Sequence, residues 1–252
     1  MLTELAGWGF PYSESVVLLF EGGSRMHGGQ LQDGADRDVF GLFVQPPEKI
    51  LGVDAYEHFV HHTGQGPRGT NTTGDSDVCL YGLQKWAHLA CKGNPSVLSF
   101  LFAQALLAKA PWTELVKRPE IFLARSHIGA FLGYANAQLE RLYGARGQKN
   151  CHRPFLEQQH GYDTKYAMHI VRLLLEAREL MEFGHITYPN PHKDLLIEIR
   201  KGAFKMHEVV DMANGLEVEA LEALNRSPLP EKVDRALVSK AMAKAYRDFW
   251  GV

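Results

Sequence analysis

The sequence predicts a small α/β domain with a short mixed sheet, followed by an α-helical domain. Short runs of apolar, often β-branched residues recur in the first part of the chain and are separated by Gly-rich, Pro-rich or polar turns. Beyond residue 96 these runs give way to longer segments with helical periodicity. We place one domain at residues 1–108 and the helical domain at residues 109–252.

Composition narrows the class of protein. A chain of 252 residues with 45% hydrophobic and 22% charged residues is typical of an ordinary globular protein. Its net charge of -2 argues against a broad basic surface for non-specific nucleic-acid binding. Three widely spaced cysteines favour a reducing compartment. With no secretory signal and no long apolar run in the sequence, we expect a cytoplasmic location and no membrane partner.

Four short apolar runs predict strands, each ended by turn residues. A polar, Gly- and Thr-rich loop (residues 62–74) separates the third run from the fourth. His58, His61 and His62 fall in the third strand or its loop, and since only a helix would gather them, no zinc site is expected there. The predicted strands span residues 16–20, 38–44, 56–61 and 77–81.

Helical periodicity predicts the remaining elements. The first helix follows the fourth strand and ends at a Gly-Asn-Pro sequence, which is a typical stop signal. In the helix that begins near residue 163, Asp163 is suited to the N-cap and Gly184 lies just beyond the end. The predicted helices span residues 82–92, 96–107, 112–122, 125–145, 163–183, 204–225 and 230–248.

Two carboxylates mark the start of the second strand. Asp36 and Asp38 are two residues apart, so their side chains point to the same face. Carboxylates this close repel each other unless a cation lies between them, and Mg²⁺ is commonly bound by one or two carboxylates plus substrate phosphates. Asp77, which begins the fourth strand, is the best candidate for a third ligand, and Asp75 is the alternative. Although a D-x-D pair alone is common in surface turns, the apolar strand after it favours a metal site.

A glycine turn directly after the first strand is the second half of this site. Gly23 lets backbone N–H groups approach a ligand, and the hydroxyl of Ser24 can donate to a phosphate oxygen. Arg25 and His27 lie in the same turn and are candidates for ligand contact. Most Gly-Ser turns have only a structural role. The order of strand, Gly-Ser, D-x-D and strand is more specific than either motif alone.

The arrangement G-S-R-x-H-G, followed by D-x-D-x-x-G-x-F-V, resembles the DNA polymerase β-type nucleotidyltransferase superfamily. Within it, the chain is most similar to predicted nucleotidyltransferases linked to RNA repair. Three further segments carry this narrower likeness: residues 77–95, residues 160–174 with the sequence G-Y-D-T-K-Y-A-M-H, and residues 199–202. The likeness extends from about residue 16 to residue 215.

The resemblance implies a nucleotidyltransferase domain with a helical domain that closes the nucleotide cleft. It implies transfer of a nucleoside monophosphate from an NTP such as ATP, with release of pyrophosphate and with two Mg²⁺ or Mn²⁺ ions. Asp36, Asp38 and Asp77 would be the catalytic, metal-binding residues, and Gly23 and Ser24 would bind the phosphates. One departure concerns a glutamate that the family usually carries after the Gly-Asn-Pro sequence. Here Ser99 stands in its place, which indicates a change in local packing or in acceptor recognition.

The helix that begins near residue 163 carries a polar stripe. Lys165, His169, Arg172 and Glu176 recur at helical spacing, and the simplest interpretation is a solvated face with an Arg172–Glu176 pair. A lysine in the first turn opposes the helix dipole, and an anionic triphosphate nearby would offset this. We therefore predict that Lys165, with Tyr166 or His169, contacts the nucleotide.

The sequence is compatible with three functional hypotheses. The acceptor is an RNA 3′ end in the first, and a protein hydroxyl or a small molecule in the second. The third is a non-catalytic module that binds nucleotides and regulates a partner. The retained carboxylates favour an enzyme, while the base preference and the oligomeric state are left open.

Overall fold

The computed structural model describes residues 1–29, 37–64, 75–144 and 153–252. The chain forms two compact units. The first contains Met1–Cys91, Ser96–Phe122 and Val233–Val252, and the second contains Lys92–Pro95 and Leu123–Lys232.

The described residues contain five β-strands and twelve α-helices. The strands are β1 (Val16–Glu21), β2 (Arg37–Phe43), β3 (His58–His62), β4 (Ser76–Gly82) and β5 (Ala105–Ala108). The α-helices are α1 (Leu2–Gly7), α2 (Gly23–His27), α3 (Pro47–Leu51), α4 (Leu83–Ala90), α5 (Pro95–Leu98), α6 (Trp112–Leu115), α7 (Ile128–Leu142), α8 (Pro154–His160), α9 (Thr164–Phe183), α10 (Lys193–Lys201), α11 (Met206–Asn225) and α12 (Arg235–Trp250).

The strands form one mixed sheet in the first unit, in the order β3-β4-β2-β1-β5. β2 and β4 are parallel, whereas every other neighbouring pair is antiparallel. The mixed sheet and the helices that follow it confirm the predicted fold class. The four predicted strands overlap β1 to β4.

The fifth strand corrects the prediction of one helix over residues 96–107. The segment begins as α5, continues as a 3-10 turn at Ser99–Leu101 and ends as β5. β5 pairs with the outer edge of β1, where Leu107 lies opposite Leu19. Leu and Ala favour helices in isolation, but here the backbone hydrogen bonds to β1 outweigh that preference.

Both faces of the sheet are covered by apolar side chains. On one face, residues of the strands pack with α1 and the segment after it. On the other, the rings of Phe20 and Phe100 lie 4.7 Å apart and Phe40 stacks on Phe20. The cluster on the first face consists of Leu5, Phe10, Val16, Leu19, Val39, Phe43, Val78 and Leu80. Burial on both faces fixes the register of the strands.

The C-terminal helix α12 belongs to the sheet unit. The Tyr246 hydroxyl donates to Gln45 Oε1 at 2.5 Å and accepts from the Gln84 N–H at 3.0 Å. The Trp250 indole donates to the Gln45 carbonyl oxygen at 3.1 Å. The predicted division at residue 108 places α12 in the helical domain. The difference arises because these contacts join α12 to residues far away in sequence.

The second unit is built around α9, against which α7, α10 and α11 pack. Asp163 caps α9 as predicted, because its Oδ1 accepts from the Lys165 N–H at 2.8 Å and the Tyr166 N–H at 3.3 Å. Gly184 ends the helix with a left-handed φ of 68°. None of the helices in the described ranges carries an apolar stretch long enough to cross a membrane.

Candidate active site

Two carboxylates of the predicted site occupy equivalent positions on neighbouring parallel strands. Asp38 is the second residue of β2 and Asp77 is the second residue of β4, and their Cα atoms are register partners. Adjacent strands lie about 4.8 Å apart, and side chains at paired positions point to the same face. Both side chains are partly exposed at the strand starts. The structure therefore brings together two carboxylates that the sequence separates by 39 positions.

The glycine turn after β1 lies directly against the first of these carboxylates. A Cβ atom at Gly23 would overlap Oδ2 of Asp38, and the φ of +56° also favours glycine there. The neighbouring Gly22 N–H donates to the Asp38 carbonyl oxygen at 2.8 Å. These contacts join the predicted phosphate turn and the predicted metal site into one site.

The short helix α2 carries the other residues predicted in this turn. Ser24 lies in its first turn, where backbone N–H groups have no acceptor within the helix. Arg25 and His27 lie in its last part, and Gly28 ends it in the left-handed conformation. The turn therefore presents amide N–H donors and a hydroxyl next to Asp38, which is the chemistry that binds phosphate.

Sequence reasoning missed the role of Glu21, the last residue of β1. Its carboxylate accepts from Arg37 Nε at 2.5 Å and lies 3.7 Å from an Arg25 guanidinium nitrogen. Arg25 is thus held beside the turn by a carboxylate on the preceding strand. Nothing in the local pattern marks the Glu21–Arg37 contact, because these residues are 16 positions apart, whereas the four-residue spacing of Glu21 and Arg25 is a signal that could have indicated their pair.

Sequence reasoning also missed His62, the last residue of β3. Its Nδ1 atom lies 2.7 Å from Oδ1 of Asp77, and the two residues are antiparallel register partners. The sequence placed this histidine at the start of the predicted loop, whereas in the structure β3 extends to include it. Its partner could not be read from the sequence, since residues 63–76 separate them and the register of β3 on β4 is set by the folded sheet.

Asp75, the alternative third carboxylate, has different surroundings. It precedes β4, and its Oδ1 accepts from the Thr63 hydroxyl at 3.2 Å. The Thr63 Oγ1 also accepts from the Ser76 N–H at 2.6 Å, so Asp75 takes part in contacts between the residue after β3 and the start of β4. The register shared by Asp77 and Asp38 favours Asp77 as the ligand.

The predicted metal set includes Asp36, which lies outside the described residues. Within those residues, no group of three or more His, Cys, Asp or Glu side chains forms a potential metal site. Asp38 and Asp77 nevertheless supply oxygen ligands from two strands, and the absence of a Cβ at Gly23 leaves room for the Asp38 carboxylate itself. Hard divalent cations such as Mg²⁺ prefer this donor type and complete their coordination with water and phosphate oxygens. The residues present therefore fit the implied metal.

The second unit holds the remaining predicted nucleotide contacts, and Lys165, Tyr166 and His169 all lie at the start of α9. Arg153 donates to Asp163 Oδ2 at 3.0 Å and its guanidinium lies 5.5 Å from the centre of the Tyr166 ring. These contacts gather two cations and an aromatic ring around one helix start. The nucleotide role of the three residues stays a prediction.

The rest of the polar stripe on α9 differs from the expected solvated face. Arg172 donates to both carboxylate oxygens of Glu176, at 3.1 and 3.2 Å, and the Glu176 side chain is 1% exposed. Burial, and then the Glu176 carboxylate, raise the pKa of the nearby Tyr188 hydroxyl well above its ordinary value. Beyond Lys165 and His169, the stripe therefore continues as a largely buried ion pair of Arg172 and Glu176 and not as a solvated face.

Ser99 occupies the position at which the family resemblance leads us to expect a glutamate. Its side chain is buried, and its hydroxyl donates to the Ser96 carbonyl oxygen at 2.8 Å. The contact closes a turn between α5 and the segment that leads to β5. This geometry favours the packing interpretation of the departure.

Two comparisons with known proteins found a match. A sequence profile described as the RNA repair pathway DNA polymerase beta family matches residues 4–233. Among solved structures, a nucleotidyltransferase-like protein from Exiguobacterium sibiricum is similar at 13% sequence identity, with 98% of this chain and 78% of that chain covered and a TM-score of 0.32. A search of curated proteins found no match.

Proposed function

The chain belongs to the RNA repair pathway DNA polymerase beta family, as its motifs indicate, and on that basis we propose that it transfers a nucleoside monophosphate from an NTP to an acceptor hydroxyl. Membership makes it a polymerase β-type nucleotidyltransferase. The observation that carries the proposed reaction is the shared register of Asp38 and Asp77, with Gly23 directly against Asp38. This arrangement places carboxylate oxygens, which bind metal ions, beside backbone N–H groups, which bind phosphate.

Asp38 and Asp77, together with Asp36, hold the divalent ions in this proposal. Mg²⁺ or Mn²⁺ supplies neutralisation of the triphosphate charge and activation of the attacking hydroxyl when bound. The two described carboxylates face the same way from neighbouring strands, so they can share ligands on one side of the sheet. The hydrogen bond from His62 orients Asp77.

Gly23 and Ser24 bind the phosphates of the NTP. Their backbone N–H groups and the Ser24 hydroxyl donate to non-bridging oxygens, and Arg25 adds positive charge. The acceptor hydroxyl gives up its proton to water as its oxygen bonds to the α-phosphorus, and the bond between that phosphorus and the α,β-bridging oxygen breaks, so pyrophosphate leaves. His27, Lys165, Tyr166 and His169 are proposed as further nucleotide contacts.

An RNA 3′ hydroxyl is the proposed acceptor, in keeping with the repair pathway of the family. The net charge of -2 suits a short contact with an RNA end better than a long footprint, since each phosphate contact requires a cation. The proposed location is a reducing cytoplasm, for which the three widely spaced cysteines are the argument.

The test uses α-labelled NTPs with Mg²⁺ or Mn²⁺ and a mixture of RNA ends, proteins and small hydroxyl compounds. We expect the wild-type protein to label RNA and release pyrophosphate, and Asp38→Asn/Asp77→Asn to lose about a thousandfold in rate, because several kcal/mol of charge stabilisation disappear. Asp54→Asn removes an exposed carboxylate elsewhere in the same unit and serves as the matched control.

Equal labelling by the wild type and the double variant would contradict the proposed site. Label on a protein or a small molecule instead of RNA would contradict the acceptor and leave the site intact. NTP binding without pyrophosphate release, with every acceptor, would indicate the non-catalytic module.

A further inference from the structure

A cavity lies in the sheet unit between α3, α4 and α12, and the candidate active-site residues do not line it. Its volume is about 690 Å³, within the range of small-molecule sites in proteins. The cavity is lined in part by Gln84, Lys85, Ala87, His88 and Cys91, on and just after α4, and α4 begins immediately after β4. Asp77 is five residues before the end of β4, so the cavity opens about 17 Å along the strand from the candidate active site.

The floor of this cavity is apolar and partly aromatic. Ile50, Met242, Tyr246 and Trp250 contribute to it, and the two aromatic rings have centroids 5.1 Å apart. The polar atoms of both rings are already engaged in hydrogen bonds with Gln45. Held by these bonds, the rings offer a rigid surface for a flat apolar group.

The rim of the cavity is cationic. Lys85, Arg235 and Arg247 line it, whereas Glu57 is the one carboxylate among its lining residues and pairs with Lys85 at 2.7 Å. In the part of the chain that the structure describes, Arg235 and Arg247 make no ion pair. Both arginines are exposed, so each guanidinium can form an ion pair with a bound anion.

We propose that this cavity binds a small aromatic anion, whose ring packs on Tyr246 and Trp250 and whose charged group meets Arg235 and Arg247. The size of the cavity limits the ligand to a small molecule, and the positive charge of the rim favours an anion. The site is separate from the carboxylates of β2 and β4. The proposal does not depend on whether the protein transfers nucleotides.

The test uses anilinonaphthalene sulfonate as the probe and neutral phenylnaphthylamine as its uncharged counterpart, both followed by fluorescence titration. The wild-type protein should bind the sulfonate about tenfold more tightly than the neutral compound, as one charge-assisted contact provides. Arg235→Glu/Arg247→Glu should remove this preference. The control Lys109→Glu/Lys240→Glu makes the same change of charge at exposed positions of the same unit outside this cavity and should keep it.

A second variant fills the cavity without entering the core. Ser239 is exposed on α12 and lines the cavity, so Ser239→Trp should occupy it and weaken binding of both probes about tenfold or more. Circular dichroism checks that each variant is folded. Equal wild-type affinity for the two probes, or sulfonate binding that neither the arginine variant nor Ser239→Trp weakens, would overturn the proposal.

Discussion

The Nδ1 atom of His62 lies 2.7 Å from Oδ1 of Asp77, and the two residues face each other across β3 and β4. A neutral imidazole with its proton on Nδ1 donates to the carboxylate and restricts its rotation. In metal sites such a hydrogen bond orients the ligand and tunes its basicity. His62 is therefore a positioning residue for Asp77.

The first prediction concerns this histidine. His62→Ala should lower the affinity for Mn²⁺ about tenfold, since Asp77 loses the group that orients it. Free Mn²⁺ measured by electron paramagnetic resonance during a titration gives this affinity without any acceptor. His58→Ala is the matched control, because His58 lies on the same strand but pairs with Tyr81. An unchanged affinity in His62→Ala would show that the contact has no role at the metal.

The second prediction concerns the glycine turn. Gly23→Ala would place a methyl group on Oδ2 of Asp38 and strain a positive φ, so the turn must shift. We expect weaker Mn²⁺ binding and about a hundredfold lower nucleotidyl transfer, because a displacement of about 1 Å has this effect on positioned groups.

Gly29→Ala provides the control for this turn. No atom lies within 4 Å of a Cβ built at Gly29, and this glycine lies just past α2. Both variants should fold, as judged by circular dichroism. Wild-type metal binding and transfer in Gly23→Ala would mean that the contact with Asp38 does not belong to the site.

The third prediction tests the start of α9. Lys165→Ala should weaken NTP binding about tenfold, because one charge-assisted contact with the triphosphate is lost. Lys193→Ala removes a lysine from the first turn of α10 in the same unit and should leave the affinity unchanged. Isothermal titration calorimetry with a non-hydrolysable NTP measures both. Wild-type affinity in Lys165→Ala would exclude the predicted contact.

The fourth prediction concerns stability. Glu176→Ala should lower the free energy of unfolding by about 3 kcal/mol, because it leaves the guanidinium of Arg172 without its carboxylate partner at a largely buried position. Replacement of both residues by Leu and Met should cost less than the single change, since no charge remains unpaired.

An exposed ion pair with the same spacing gives the comparison. Lys244 and Asp248 are four residues apart on α12, with side chains 70% and 55% exposed. Lys244→Ala should change the free energy of unfolding by less than about 0.5 kcal/mol. Urea denaturation followed by circular dichroism measures all three variants. A loss for Glu176→Ala no larger than that for Lys244→Ala would contradict the role of the buried pair.

The sequence predicted those residues of the candidate site that lie directly beside an apolar run. Gly23, Asp38 and Asp77 could be singled out because each borders a buried apolar run, and the sheet register then brings two of them together. Their chemical roles remain predictions. The contacts of His62 with Asp77 and of Glu21 with Arg37 were missed because they depend on strand pairing rather than on a motif.

The same distinction holds for the fold. The cap of α9 was predictable because Asp163 and its two amide donors are within three residues of one another. β5 was not, because its edge position on β1 decides its conformation. The return of α12 to the sheet unit depends on Tyr246 and Gln45, which are 201 residues apart.

This return of α12 has a consequence for the order in which the protein is built. On the ribosome the sheet strands emerge first, and the helices of residues 123–232 emerge before the segment that provides Tyr246 and Trp250. Until then the Oε1 atom of the buried Gln45 side chain lacks its hydrogen-bond donor, the Tyr246 hydroxyl. The unit that carries Asp38 and Asp77 is therefore completed only after the whole helical insertion has been translated.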